Sequence, residues 1–346
     1  MLTPADGVTP ADDADAPFFS VAVCTWNRAA FLRRTLESHV AQHVPAGLRW
    51  ELIVVDNHST DDTARVLDAY TDRLPLRRVF ETRLGLSHAR NAAVAAARGA
   101  YVVWTDDDVF VGRDWLAGYA EAVRRHPDAA LFGGPIRPRF EPDPPSWLVR
   151  ALPDVGHALA LLDLGPAPVP LGGEQIPFGA NYVVRADEQR RHPYSPRLGR
   201  VGTGMGGGEE TAVVRAILDA GATGWWVPNA PVEHLICADR QTLAYLRSFY
   251  LGAGASAGLD VPPGVASLFG RPRWAWRRAI TCELRYRFAR AMGTAPELWM
   301  RDFKFASAAW GLLRGPAAPA PSSPAMARGA ERRRGADVGI DRAGRA

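Results

Sequence analysis

The stretch that most constrains this chain is residues 100–111, AYVVWTDDDVFV. Tyr101 to Trp104 form an apolar run that reads as a short buried β-strand. It ends in Thr105 and three consecutive carboxylates, Asp106, Asp107 and Asp108, before apolar residues resume at Val109. Two unit charges about 4 Å apart repel by about 1 kcal/mol even in water, and by more at lower dielectric. A fold that gathers three carboxylates at a strand end therefore sets something cationic against them. Hard oxygen donors in such a place suit Mg²⁺ or Mn²⁺, with substrate phosphates completing the coordination. The competing reading is a loop in which one acid caps the next helix and the others face water, and the motif alone does not choose.

Around this stretch the chain alternates strand and helix. A first strand over residues 18–24 runs into Thr25-Trp26-Asn27-Arg28, and Phe31, Leu32, Leu36 and Val40 then recur at helical spacing over 29–43. A second strand, 51–55, ends in Asp56, with Thr60 or Asp61 placed to cap a helix over 63–70. A short strand near 76–80 and an alanine-rich helix over 87–98, stopped at Gly99, lead into the acidic strand. A helix over 115–126 and a strand near 129–132 follow. This order predicts an α/β fold with a mostly parallel, Rossmann-like sheet flanked by helices. Ligands of such sheets bind at the carboxyl ends of the strands, where Thr25, Trp26, Asn27, Asp56 and the triple aspartate are expected to converge. The alternative is three unrelated connecting loops.

The second half is less patterned. Residues 136–175 are rich in Pro and Gly and read as a long loop or insertion. Residues 176–184 read as a strand interrupted by Gly179. Asn181 within it needs hydrogen-bond partners if buried, which makes it either an acceptor contact or a structural residue. The glycine-rich loop 202–208 lacks the Gly-Lys-Ser/Thr of a phosphate-binding P-loop and leads into Glu209, Glu210 and a helix to about Gly221. At ~100° per residue, the stripe Val213, Val214, Ile217 and Leu218 is centred near the direction of Glu210, with Glu209 a quarter-turn away. Glu210 is thus expected to face inward as a general base; the plainer reading is that both acids complement the helix dipole. A short strand over 225–228 precedes His234, a lone histidine in apolar surroundings of a kind more often structural than ligating. Residues 252–264 are small and read as flexible.

Composition bounds the class. The chain has 346 residues, 47% hydrophobic and 23% charged, as soluble globular proteins do. Cys24, Cys237 and Cys282 form no CxxC pair, which argues against a disulfide framework or a zinc site and fits a reducing cytoplasm. No signal peptide or membrane-spanning run is visible. The net charge of +4 hides an asymmetry: residues 271–346 carry 16 basic and 6 acidic residues, leaving the rest of the chain acidic. Within it, residues 271–313 interleave aromatic and basic side chains. They read either as a surface for anionic membrane or partners or as a packed helical subdomain. Residues 1–16 and 314–346 are expected to be disordered.

Taken together and in order, VAVCTWNR, ELIVVDNHSTDDT, GLSHARNAAVAAARGAYVVWTDDDV, GGGEETAVVRAILDAG and PVEHLI resemble the family 2 glycosyltransferases of GT-A fold, from about residue 18 to 256. The resemblance implies a GT-A domain over 17–256, with a nucleotide-binding half (17–135) and an acceptor half (136–256). A helical extension over 257–313 would follow. It places Thr25, Trp26, Asn27 and Asp56 at the nucleobase end and Arg90 near the nucleotide. It matches Asp106 and Asp108 to the DxD pair, or Asp107 with a register shifted by one, with Asp108 and Asp106 as metal ligands for Mn²⁺ or Mg²⁺ and Asp106 and Asp107 beside the nucleotide. Glu210 falls at the catalytic base, with Glu209 beside it, and His234 at a further metal ligand. Two departures stand out: Cys24 replaces a common proline, and the base motif is Glu-Glu where Glu-Asp is usual. The implied activity is inverting, metal-dependent transfer of a sugar from a UDP-, dTDP- or GDP-sugar to an acceptor hydroxyl, in the manner of hexosyltransferases. The acceptor is expected to be a glycan, a lipid-linked glycan or a small molecule, as in cell-envelope polysaccharide synthesis, and no nucleic acid is expected as a partner. The location expected is the cytoplasm, with peripheral contact to the inner face of the membrane. Competing readings are a degenerate nucleotide-sugar-binding protein and a nucleotidyltransferase, the latter disfavoured because CTWNR carries no glycine.

Overall fold

The computed structural model describes residues 18–315 apart from 203, 205–206 and 258–263. The chain runs β1 (Phe19–Thr25), α1 (Ala29–Ala41), β2 (Trp50–Asp56), α2 (Thr63–Asp68), β3 (Leu76–Phe80), α3 (Leu86–Ala96), β4 (Tyr101–Asp106), β5 (Val109–Val111), α4 (Trp115–Arg125) and β6 (Leu131–Gly133). It continues with β7 (Ile136–Glu141), α5 (Ser146–Val155), β8 (Tyr182–Arg185), α6 (Ala186–Arg191), α7 (Glu209–Asp219), β9 (Gly224–Trp226), β10 (Val232–Cys237) and α8 (Leu243–Ala257). A small hairpin, β11 (Ser267–Leu268) and β12 (Arg271–Pro272), leads to α9 (Arg273–Ala291) and α10 (Pro296–Arg314).

Strands apolar on both sides must lie between two layers, and β1, β2 and β4 do. Val21, Val23, Leu52, Val54 and Val103 face one core with α1, α2 and α4. Ala22, Ile53, Val55, Val102 and Trp104 face the other with α3 and α7. The seven-stranded sheet has the order β3-β2-β1-β4-β8-β6-β9 and is parallel except where β8 runs against β4 and β6. Its register fixes the site: Thr25 lies beside Asp56, and Cys24 beside Asp106. The polar strand ends therefore meet on one edge, as the sequence predicts. A second sheet, β5-β10-β7, pairs His234 with Val109, one residue past the triple aspartate.

Three expectations need correction. The presumed loop 136–175 contains β7, α5 and a 3-10 turn at Gly156–Leu159. β7 has an exposed stretch and finds its ladder partner, β10, almost a hundred residues later, so local periodicity could not reveal it. The strand expected over 176–184 begins only at Tyr182, because Gly179 gives way to the Arg90 guanidinium: a Cβ there would stand 2.6 Å from Nη2. The segment expected to be flexible from residue 252 is helical to Ala257. There Gly254 lets α8 lie directly on α10, since an added Cβ would sit 1.9 Å from the Ala308 carbonyl oxygen.

Of the two readings of residues 271–313, the packed helical one describes the backbone. Tyr286, Trp299, Met300 and Phe303 of α9 and α10 share a core with Leu148 of α5, Ile236 of β10 and Leu246 of α8. The segments expected to be disordered, 1–16 and 314–346, lie outside the described residues except for Arg314 and Gly315.

Candidate active site

The strand ends open onto a cavity of about 810 Å³, a size that holds small-molecule ligands. Its lining includes five carboxylates, Asp106, Asp107, Asp108, Glu209 and Glu210. Five arginines answer them: Arg28, Arg90, Arg200, Arg215 and Arg240. Thr25, Trp26 and His234 also line it, so most of the candidate residues come together.

The three aspartates are held differently. Asp107 accepts from the Thr25 hydroxyl at 2.7 Å and pairs with Arg28 at 3.2 Å, while its carbonyl takes the Thr35 hydroxyl. It ties β4 to β1 and α1, and burial, with the Asp108 charge, raises its carboxyl pKa against the pull of Arg28. Asp108 is buried as well, which works against ionisation. The His234 ring when it carries both protons, Arg28 and Arg240 nonetheless hold its carboxyl well below the usual range. Arg28 Nη2 stands 2.7 Å from Oδ2 and Arg240 Nη1 3.3 Å. Asp106 is the open one, its side chain 38% exposed toward the cavity and 3.8 Å from Arg90.

His234 is buried beside Asp108. Its Nδ1 lies 2.7 Å from the Leu159 carbonyl, an acceptor only, so Nδ1 carries the proton. In the neutral ring the lone pair is then on Nε2, 3.4 Å from Asp108 Oδ1, with Arg240 Nη1 donating to it from 3.0 Å. This is the orientation that a second contact imposes on a metal-ligating histidine. Among the described residues no three His, Cys, Asp or Glu side chains are grouped to hold an ion unaided. Asp108 with His234 Nε2 is chemically a fit for part of a Mn²⁺ or Mg²⁺ shell, the kind that substrate phosphates and water complete.

Opposite, α7 presents the glutamates: Glu210 faces the cleft, as the helical wheel expects, but Glu209 is not at the flank. Glu209 is the buried one, 3.1 Å from Arg90 Nη1, while Glu210 stays partly open to the cavity at 3.8 Å from the same atom. The stripe misleads because Leu218 is only half-buried, and because side chains at a helix start lean back toward the preceding turn, where α3 holds Arg90. Burial, then the neighbouring Glu209 charge, raise the Glu210 carboxyl to about 7 against the pull of Arg90. Arg90 itself is clamped over the rings of Trp104 and Tyr194.

Three candidates do not line the cavity. Asn181 is fully buried and saturated: its Oδ1 accepts from Trp115 and Tyr119, and its Nδ2 donates to the carbonyls of Pro135 and Ala230. The acceptor reading is corrected to the structural one. Asn27, with φ 52, takes the Thr60 amide on its side chain and donates its own amide to Ser59; it fixes the turn after β1. Asp56 is buried, bonded to the Ser59 amide and to Arg78. Its neighbour Asn57 does reach the cavity.

Sequence reasoning missed Arg28 and Arg240. Arg28 stands inside the VAVCTWNR stretch, where its charge was the available signal. Arg240 reaches Asp108 from a 3-10 turn after β10, and no spacing rule announces it. Also unannounced is the far wall of the cavity, where α8 turns Phe249, Gly252, Ala253 and Ser256 inward opposite His157 and Ala158. Their spacing of three and four is one helix face.

Comparison with known proteins gives the chain its relatives. Residues 20–165 match the family described as glycosyl transferase family 2. The succinoglycan biosynthesis protein ExoM of Rhizobium meliloti is 28% identical over 244 residues, 69% of this chain and 73% of that protein. Validoxylamine A glucosyltransferase of Streptomyces hygroscopicus is 35% identical over 109 residues, which is 31% of this chain and 26% of that protein. Among solved structures, the mannosyltransferase PcManGT of Pyrobaculum calidifontis, in complex with GDP-Man and Mn²⁺, superposes with a TM-score of 0.56 at 19% identity. That match covers 86% of this chain and 85% of the other, and it shows a common GT-A fold.

Proposed function

Through residues 20–165 this chain belongs to the family 2 glycosyltransferases, and we propose that it moves a sugar from a nucleoside-diphosphate donor to an acceptor hydroxyl with inversion. The observation that carries this reading is one cavity joining Asp106–Asp108 at the end of β4 to Glu209 and Glu210 across Arg90. Thr25, Trp26 and Asn57 form the nucleotide end, with Trp26 offering a ring face to the base and Asp56 and Asn27 shaping the loops behind it. Residues 17–135 would serve the donor and 136–256 the acceptor.

Glu210 is the base. Its carboxylate takes the proton of the acceptor hydroxyl as that oxygen attacks the anomeric carbon. The bond from that carbon to the diphosphate oxygen breaks, and the electron pair leaves with the nucleoside diphosphate. A carboxyl poised near neutrality suits this exchange. Arg28 and Arg240 lie where negative charge develops on the leaving group. Asp108 and His234, with Asp106 nearby, would hold Mn²⁺ or Mg²⁺, whose chemistry there is to neutralise that charge. A growing polysaccharide is the acceptor class that the likeness to ExoM favours.

Calorimetric titration of UDP, dTDP and GDP, each with and without Mn²⁺, tests the reading. One nucleotide is expected to bind, more tightly with the metal, and Asp108→Ala to abolish that metal dependence. Folded protein that binds none of the three would overturn it. Glu210→Gln is expected to keep nucleotide binding and to lose transfer by about 10²-fold or more.

A further inference from the structure

Helix α10 packs against both α9 and α8, and the outer side of α9 carries a row of large apolar side chains among its arginines, where a solvent face is usually polar throughout. Ile280, Leu284, Phe288 and Met292 follow at intervals of four and form a single row, 47%, 64%, 70% and 65% exposed. Trp274 and, on α10, Leu298 extend it. Of the thirteen large apolar side chains exposed among the described residues, nine lie between residues 268 and 305, so the patch is concentrated rather than scattered.

Arginines border the row. Arg277, Arg278 and Arg285 make no ion pair among the described residues, and Arg278 lies over the rings of Trp274 and Phe305 at 5.2 and 5.3 Å. Residues 271–314 hold ten basic side chains against three acidic ones, in a chain whose first 270 residues are net acidic. A second copy of this face would set arginine against arginine. No helix among the described residues is long and apolar enough to cross a membrane. A row of aliphatic and aromatic side chains fringed by unpaired guanidinium groups matches the boundary between acyl chains and anionic headgroups.

We propose that the outer face of α9, continued by Leu298 and Phe305 of α10, docks the protein on an anionic lipid bilayer. The apolar row enters the headgroup boundary, and Arg277, Arg278 and Arg285 meet lipid phosphates. The surface is independent of the transfer chemistry and is tested without it.

The experiment is co-sedimentation of the full chain with vesicles of phosphatidylcholine alone, and of about two parts phosphatidylcholine to one of phosphatidylglycerol. Binding to the anionic vesicles is expected, at least about tenfold weaker to the neutral ones and in high salt. Leu284→Asp with Phe288→Asp, and separately Arg277→Glu with Arg278→Glu, should each weaken it at least about tenfold. All four side chains are exposed, and thermal melts should match the parent. Phe80→Asp, at another exposed apolar residue, on the edge strand β3, should leave binding intact. Absence of binding by the parent chain, or unchanged binding by both double variants, would overturn the proposal. So would a parent dimer that Leu284→Asp with Phe288→Asp splits into monomers, since a second copy would then be the occupant. Nucleotide titration of the same preparations reads the catalytic site separately.

Discussion

Arg90 answers three carboxylates with one charge. Asp106, Glu209 and Glu210 all approach its guanidinium, which is buried between aromatic rings. Removing the cation would strand these acids in a low-dielectric pocket, so Arg90→Met is expected to cost roughly 3–5 kcal/mol in urea unfolding. The same cluster sets a pH dependence. Burial and then the Glu209 charge raise Glu210 to about 7, and a base must be ionised to accept a proton, so transfer should rise with pH and level off above about 7. Glu209→Gln removes the like charge and should move that rising limb of kcat/KM to lower pH; a limb that stays in place would assign the titration to another group. At this scale the sequence was legible where chemistry concentrates in a short run, as at Asp106–Asp108 and Glu209-Glu210. It was not legible for Arg240, whose role exists only once β10 has been paired with β5. Which glutamate would be buried also escaped the helical wheel, because Arg90, on another helix, decides it.

Among the elements, α8 does two things at once. One face, with Phe249, Gly252, Ala253 and Ser256, walls the cavity, while the other lies against α10 with no side chain between the backbones. A Cβ on Gly311 would stand 2.0 Å from the Leu251 carbonyl oxygen. Gly311→Ala must therefore push α8 away from α10, at a cost of about 1–3 kcal/mol in thermal or urea unfolding. The wall opposite His157 moves with it, so transfer should fall while nucleotide affinity, set at the ends of β1, β2 and β4, stays near the parent value. Equal losses of both would mean that the nucleotide end depends on α8 as well. The elements read correctly from sequence, β1 to β4 and the helices between them, carry their own apolar runs or helical spacing, even though β4 finds its partner β1 across two intervening strands. β7 and α5 were lost because they lie in a Pro- and Gly-rich stretch and β7 alternates no apolar face, and the glycines of α8 read as flexibility when they serve close packing.

For the whole molecule the question is whether the C-terminal helices are an appendage. The composition shift near residue 270 suggests a boundary, and the sequence offered an extension. The packing contradicts a separable piece. Ile236, at the heart of β10, is buried in the same core as Leu148 and Leu159, whose carbonyl fixes His234, and as Trp299, Met300 and Phe303 of α10. Arg247 of α8 pairs with Glu283 of α9 at 3.0 Å, and Lys304 of α10 bonds the Asp154 carbonyl of α5. A chain ending before α10 would expose these large side chains, each worth roughly 1.5–3 kcal/mol when buried, against a total stability of about 5–15 kcal/mol for a typical domain. Truncation after residue 295 is therefore expected to abolish cooperative folding of the sheet as well as of the helices, and the full chain should unfold in urea in a single transition by fluorescence and circular dichroism alike. Two separated transitions, or a truncated chain that still binds nucleotide, would mean that the β-sheet unit stands alone and that His234 keeps its position without the helices that pack behind it.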